Sequence, residues 1–176
     1  MRIDAIKDTA RQAHADSGVR RRLFEALHSA DTTEARNAAW ALTQLPPSDN
    51  TLIAARRNDL ADIATTTTDT SLRRMVLALL ERLEWTPADV RTNLLDFCLD
   101  RLSDPAEPCG VRALCVKLAH KQCHHWPELL NELGQTLSAM DADALKPGLR
   151  HCVKKTLATI DGHGRTSQAT HIGMSF

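Results

Sequence analysis

The sequence contains no tyrosine and few aromatic residues of any kind. Three tryptophans and three phenylalanines are the whole aromatic complement of the 176 residues. Lysine plus arginine and aspartate plus glutamate both number 22, so the formal net charge is zero. Domains that bind nucleic acid usually carry excess positive charge and often stack bases on aromatic rings. The low aromatic content and the lack of excess positive charge argue against a protein dedicated to nucleic acid or to an anionic membrane surface.

Long apolar segments are also missing. The longest runs, such as Met75 to Leu80, are far shorter than the roughly 20 residues that cross a bilayer. The first residues, MRIDAIKDTA, carry charges where a signal peptide needs an apolar stretch. The five cysteines are an odd number, all in the second half of the chain, and are expected to be reduced thiols. The sequence therefore predicts a cytoplasmic protein without a membrane span.

The sequence does contain an internal repeat. An apolar residue followed by arginine recurs four times, with the arginines 37, 39 and 38 residues apart, and each pair opens a helix-compatible stretch. The four arginines are Arg36, Arg73, Arg112 and Arg150. An aspartate able to cap the helix stands shortly before each of them, namely Asp31, Asp69, Asp104 and Asp143. Four helices in a regular register are therefore predicted.

Further helices are predicted between and before the repeated ones. Apolar residues at helical spacing indicate helices over residues 2–14, 19–29 and 50–64. Thr86-Pro87 has the order of a cap followed by a first-turn proline, and Trp126-Pro127 is likewise expected to open a helix. Pro147 should lie in a first turn or kink its helix. No strand-like alternation occurs in the sequence, so the fold class is all-α.

This pattern of paired helices resembles the HEAT and armadillo repeats over roughly residues 19–160. The resemblance implies an α-α superhelix, a right-handed solenoid of about four helix pairs with an N-terminal capping helix. In such a stack the second helix of each pair lines the concave side. The repeated arginine is then expected to be structural, contacting the preceding repeat's acidic residue or its helix-end carbonyls. We expect one repeat domain over residues 1–160 and a C-terminal tail over residues 161–176.

Trp40 is the main candidate for a residue with a binding function. The stretch ARNAAWALTQL looks like the third helix of an armadillo repeat, in which the importin-α branch uses tryptophan and, four residues later, asparagine to hold an extended basic peptide. Gln44 replaces that asparagine here, and the other repeats have Leu77, Val116 and Lys154 at the tryptophan position, so a nuclear-import function does not follow. Trp40 is either an interface anchor or a core residue beside its flanking alanines.

Signatures of catalysis are missing from the sequence. It contains no GxxxxGK[ST], GxGxxG or HExxH motif, and no cofactor is predicted. The segment HKQCHHW holds His120, Cys123, His124 and His125, whose residue types suit zinc. The alternative is a histidine group favoured beside a helix C-terminus. Cys115 and Cys152 are interpreted as unreactive core thiols.

The sequence therefore predicts a non-enzymatic scaffold that binds a protein or peptide on the concave face of a short repeat stack. The candidate residues are Asn37, Trp40, Gln44, Arg74, Glu81, Lys117, Lys121 and Lys154. The alternative is a DNA-binding helical-repeat protein of the DNA alkylation repair glycosylase type, suggested by four basic runs: Arg20–Arg22, Arg56–Arg57, Arg73–Arg74 and Lys154–Lys155. A third hypothesis is a homo-oligomer formed through the terminal repeats.

Overall fold

The structure is a computed structural model that describes the backbone of residues 3–172 and the side chains of residues 3–162. Within this range the chain forms ten α-helices and no strand, which confirms the all-α class. The chain divides into two compact units, residues 1–84 and 85–176. Unit 1 contains α1 Ile3–Ala15, α2 Ser17–Ala26, α3 Thr32–Thr43, α4 Asn50–Ala54, α5 Arg57–Thr66 and α6 Thr70–Glu81. Unit 2 contains α7 Thr92–Ser103, α8 Cys109–Cys123, α9 Pro127–Ser138 and α10 Pro147–Ile172.

Unit 1 is built on α3 and α6, which pack side by side. Helices α1 and α2 pack on α3, and α5 packs on α6. The buried face of α3 consists largely of alanine, including Ala38, Ala39 and Ala41, whereas α6 buries Leu72, Val76, Leu77, Leu79 and Leu80. Small side chains on one helix and large ones on its neighbour let the two backbones approach closely while the interior stays filled.

Unit 2 is centred on α8, which contacts α7, α9 and α10. Its core includes Leu94, Leu102, Val111, Val116 and Leu118, each with no exposed area. Two predictions from proline hold in this unit. Trp126 precedes α9, which begins at Pro127, and Pro147 is the first residue of α10 rather than a kink within it.

Two of the four predicted aspartate caps are present. Asp31 accepts hydrogen bonds from the Thr33 and Glu34 amides, and Asp69 accepts one from the Leu72 amide. The prediction for Asp104 is wrong, because that residue ends α7 and its carboxylate accepts from the Ala106 amide in a turn. Prolines 105 and 108 favour extended backbone before them, so α8 starts only at Cys109.

The predicted cap at Asp143 is also wrong. The Asp143 amide donates to the Asp141 carboxylate at 3.0 Å, so the two residues belong to a turn. Helix α10 begins four residues later, at Pro147. A first-turn proline brings no amide hydrogen that a cap would have to satisfy, so this helix start needs one partner fewer.

Two predicted partner helices differ from the observed ones. The helix expected over 50–64 is interrupted, because the Arg56 amide bonds to the carbonyl of Ile53, three residues back, and α5 starts afresh at Arg57. Leu52, one of the apolar residues of this segment, is 39% exposed. Pro87 opens only a 3₁₀ turn, Pro87–Asp89, and α7 begins at Thr92 after extended backbone at Val90 and Arg91.

Two of the four repeated arginines, Arg73 and Arg112, close helix ends, as expected, whereas Arg150 holds carbonyls of the turn before α10 and Arg36 contacts a carboxylate. Arg73 donates to the Ala64 carbonyl at 3.4 Å and also to that of Thr67. Arg112, which is buried, donates to the Leu102 carbonyl at 3.0 Å. Arg150 donates to the carbonyls of Asp143 and Leu145. Arg36 instead reaches forward to Asp69 in the following repeat, so the prediction of a contact with the preceding repeat is wrong for it.

The predicted tail over residues 161–176 starts inside a helix. Helix α10 continues to Ile172, although the apolar periodicity of the sequence fades after Ile160. Residues 173–176 lie outside the described residues.

Candidate functional site

The ends of α3 and α6 are matched, so the two helices run in the same direction. Near their starts, Arg36 Nε of α3 donates to Asp69 Oδ2, the N-cap of α6, at 2.8 Å. At their far ends, Arg82 donates to the Thr43 carbonyl at 3.4 Å and to the Leu45 carbonyl at 3.0 Å. A charged contact at the start and a carbonyl contact at the end thus fix the register of the pair.

A groove of about 590 Å³ lies between these two helices. Its α3 wall is formed by Arg36, Asn37, Trp40, Thr43 and Gln44, and its α6 wall by Arg74, Met75 and Ala78. Residues 37, 40 and 44 of α3 are three and four positions apart, and so are neighbours on one helix face. The small side chain of Ala78 leaves room across the groove from the larger α3 side chains.

Trp40 lies at the middle of the α3 wall. Its side chain is half-buried, whereas Ala38, Ala39 and Ala41 are at most 3% exposed. The alanines therefore occupy the core side of α3, and the indole presents part of its surface to the groove. Of the two alternatives left by the sequence, the structure places Trp40 at the surface of the groove rather than in the closed core.

Two polar side chains of the groove are without partners. The Asn37 amide and the Arg74 guanidinium make no hydrogen bond or ion pair with any side chain or backbone group of residues 3–162, and Arg74 is exposed. Gln44 makes one long contact, from Nε2 to Thr43 Oγ1 at 3.3 Å. The groove thus offers an aromatic surface beside unused hydrogen-bonding capacity.

The charge of the groove is positive. Two guanidinium groups line it, from Arg36 and Arg74, and no carboxylate does. Arg36 is held by Asp69, whose pKa is lowered chiefly by that hydrogen bond. Asp69 itself is 11% exposed and lies outside the lining. The unpaired charge is therefore that of Arg74.

The structure brings together four of the eight predicted site residues: Asn37, Trp40, Gln44 and Arg74. Glu81 is half-buried on α6 and does not line the groove. Lys117 and Lys121 lie on α8 and Lys154 on α10, in unit 2, where Lys117 and Lys154 are exposed and Lys121 is half-buried. The groove is also lined by four residues that were not predicted from the sequence: Arg36, Thr43, Met75 and Ala78. Thr43 is three residues after Trp40, and helical spacing alone would have suggested it.

Several arginines of the basic runs bind within the protein. Arg20 donates to the Ala13 carbonyl at 2.8 Å, and Arg57 donates to the Glu84 carbonyl at 2.7 Å. Arg56 lies over the ring of Phe24, 5.6 Å from its centroid. Together with the helix-end contacts of Arg73, these interactions direct four of the nine basic side chains of the runs toward the protein itself.

The histidine-rich segment at the end of α8 does not converge on one point. His124 Nδ1 lies 3.2 Å from the Lys121 carbonyl, and His125 Nε2 lies 2.8 Å from the Trp85 carbonyl. Cys123 is buried whereas His124 is exposed. Among the described side chains, no three histidine, cysteine, aspartate or glutamate residues are placed to share a metal ion.

The five cysteines are free thiols, and three of them are buried. Cys98, Cys115 and Cys123 are buried, and Cys109 and Cys152 are half-buried. A hydrogen bond with Cys115, followed by burial, raises the pKa of Cys98, and burial raises that of Cys123 to about 11. Since the thiolate is the nucleophile, these raised pKa values oppose covalent catalysis at Cys98 and Cys123. The interpretation of Cys115 as a core thiol is confirmed, whereas Cys152 is only partly covered.

Comparison with known proteins gives one match. A family model described as a HEAT repeat domain matches residues 1–160. No curated protein and no solved structure matches the chain. Among residues 3–172, no helix combines the length and the apolar character that crossing a membrane requires.

Proposed function

The chain belongs to the HEAT repeat family, and from that premise we propose that it is a non-enzymatic scaffold that binds a protein or peptide segment in the groove between α3 and α6. The observation that carries the proposal is the half-exposed indole of Trp40 beside two polar groups, Asn37 and Arg74, that have no partner within residues 3–162. Tryptophan is enriched at the centres of protein interfaces because it buries a large surface at a small loss of conformational freedom.

The dimensions of the groove suit an extended segment. From Arg36 to Gln44 the α3 wall rises about 12 Å, which is the length of roughly four extended residues. Asn37 and Gln44 lie near the two ends of that wall. Each primary amide contains both a donor and an acceptor, so the pair can bond to the backbone of such a segment. Trp40, between them, is placed to contact one of its side chains.

Five free cysteines support a reducing compartment for this activity, since thiols persist unpaired in the cytosol. The DNA-binding alternative has less support, because Arg20, Arg57 and Arg73 hold helix-end or loop carbonyls. A duplex oligonucleotide nevertheless belongs in every binding experiment as the competing ligand.

The test is selection of ligands from a phage-displayed library of random linear peptides on the full chain. We expect peptides to be enriched on the wild type and lost on Trp40→Ala. Trp126→Ala is the matched control, because Trp126 is also half-buried but lies in unit 2. Circular dichroism checks that Trp40→Ala and Trp126→Ala fold. Asn37→Ala is a second groove variant, which replaces Trp40→Ala if that protein fails to fold. Enrichment that is equal on wild type and both groove variants would refute binding in this groove.

A further inference from the structure

The two ends of the α3–α6 groove differ in charge. Arg36 and Arg74 are each the fifth residue of their helix, α3 and α6 respectively. Since the helices run in the same direction with matched ends, both guanidinium groups lie toward the same end of the groove. The opposite end is formed by the neutral side chains of Thr43 and Gln44. One end is therefore cationic, and the other is uncharged.

The guanidinium of Arg74 also has hydrogen-bond donors available for a ligand. Its guanidinium is exposed and makes no ion pair with the described residues. Arg36 is already committed to Asp69 through Nε, with Nη2 also in contact. A carboxylate is the natural partner for a free guanidinium, which can donate two parallel hydrogen bonds to it.

We infer that the α3–α6 groove selects an extended peptide segment that has an aspartate or glutamate about two residues from an apolar anchor. The anchor contacts Trp40 and the acidic side chain pairs with Arg74. Arg74 is at the same level of the groove as Arg36, because each is the fifth residue of its helix. Arg36 and Trp40 are four residues or about 6 Å apart along α3, so the offset from Arg74 to Trp40 along the groove equals roughly two residues of extended chain. This inference rests on the proposed function, because it states the chemistry of the ligand in the same groove.

The experiment extends the peptide selection with variants of Arg74. The most enriched wild-type peptide is synthesised with a fluorescein label, and its affinity is compared with that of a copy in which every acidic residue is replaced by its amide. We expect the amide copy and the Arg74→Gln protein each to weaken binding by about tenfold, with little further loss when combined. Arg22→Gln is the matched control, because Arg22 is also an exposed helical arginine of unit 1 but lies outside this groove.

Charge reversal gives the sharper result. Selection on Arg74→Glu should replace acidic residues by lysine or arginine near the apolar anchor. Enriched peptides that depend on Trp40 but show no acidic preference on the wild type would overturn this inference and leave the proposed function standing. If no peptide is enriched in a Trp40-dependent way, both this inference and the proposed function are refuted. A fluorescein-labelled DNA duplex that binds through Arg74 and displaces the selected peptide would assign the groove to nucleic acid and overturn both as well.

Discussion

Arg36 and Asp69 join two repeats through one carboxylate. The guanidinium of Arg36 on α3 donates to Asp69 Oδ2, and the other oxygen of Asp69 accepts the Leu72 amide at 2.7 Å to cap α6. One side chain therefore both starts a helix and ties it to the neighbouring one. The Arg36 side chain is 48% exposed and lines the groove, whereas that of Asp69 is 11% exposed and lies outside the lining.

Removing Asp69 should destabilise unit 1 more than removing an ordinary cap. Asp69→Ala loses the helix cap and the ion pair together, and we expect a loss of about 1–2 kcal/mol in the free energy of unfolding. Asp31→Ala is the matched control, because Asp31 caps α3 without an arginine partner, and it should lose about 1 kcal/mol. Urea denaturation measures both. Equal losses would show that the Arg36 contact adds nothing to stability.

The same pair predicts a dependence of stability on pH. The Arg36 hydrogen bond lowers the pKa of Asp69 below its ordinary value of 3.8. A carboxylate with a lowered pKa in the folded state contributes stability above its unfolded pKa, and that stability is lost as the pH falls through the folded value. Below pH 3.8, wild type should therefore lose stability more steeply than Arg36→Met. Urea titrations across this range measure the two slopes, and parallel curves would contradict the assignment.

Trp40 should contribute strongly to the quenchable tryptophan emission of the protein. Trp40 and Trp126 are half-buried, whereas Trp85 is 5% exposed. Acrylamide quenching of the native protein should fall in Trp40→Phe, because one of the two accessible indoles is removed. In the control Trp85→Phe the fractional quenching should rise, because a shielded emitter is removed. Quenching that is unchanged in Trp40→Phe would place this indole in the core.

Two arginines should respond very differently to the same substitution. Arg112 is 9% exposed and holds the Leu102 carbonyl at 3.0 Å, so Arg112→Gln should destabilise the protein by about 2 kcal/mol. Arg74→Gln removes an exposed side chain without partners in residues 3–162, and should change stability by less than about 0.5 kcal/mol. Thermal unfolding compares them. A large loss of stability in Arg74→Gln would show that Arg74 supports the fold and is not available to bind a ligand.

Thiol reactivity should separate the five cysteines into two groups. Cys98, Cys115 and Cys123 are buried, and the pKa of Cys123 is raised to about 11, so these three should react with Ellman's reagent only after unfolding. Cys109 and Cys152 are half-buried and should react in the native protein. Titration in guanidinium chloride gives the total of five. Fast reaction of a third thiol in native buffer would show that the core of unit 2 opens.

The repeat was predictable from the sequence because several of the aspartates and arginines that mark it bind to helix ends close to them in the sequence. Asp31 and Asp69 cap the helices that follow them, and Arg73 and Arg112 close the helices that precede them. Asp104 and Asp143 stand at similar offsets, but prolines between them and the next helix displace its start. An offset in sequence thus predicts a cap only where the intervening backbone is free to turn.

The candidate site was predictable only in part. Helical spacing places Asn37, Trp40 and Gln44 on one face of α3, and Arg74 on α6 joins them. Spacing does not say which residues of α6 stand opposite, since that depends on the register fixed by Arg36, Asp69 and Arg82. Met75 and Ala78 were missed for this reason.

The contacts of Arg82 have a consequence for how the protein is made. This side chain donates to the carbonyls of Thr43, Leu45 and Pro46 and to Asn50 Oδ1 at 2.7 Å. During synthesis the carboxyl end of α3 therefore stays hydrated until a residue nearly forty positions later has left the ribosome. The groove is absent from any shorter nascent chain, because α6 forms one of its two walls.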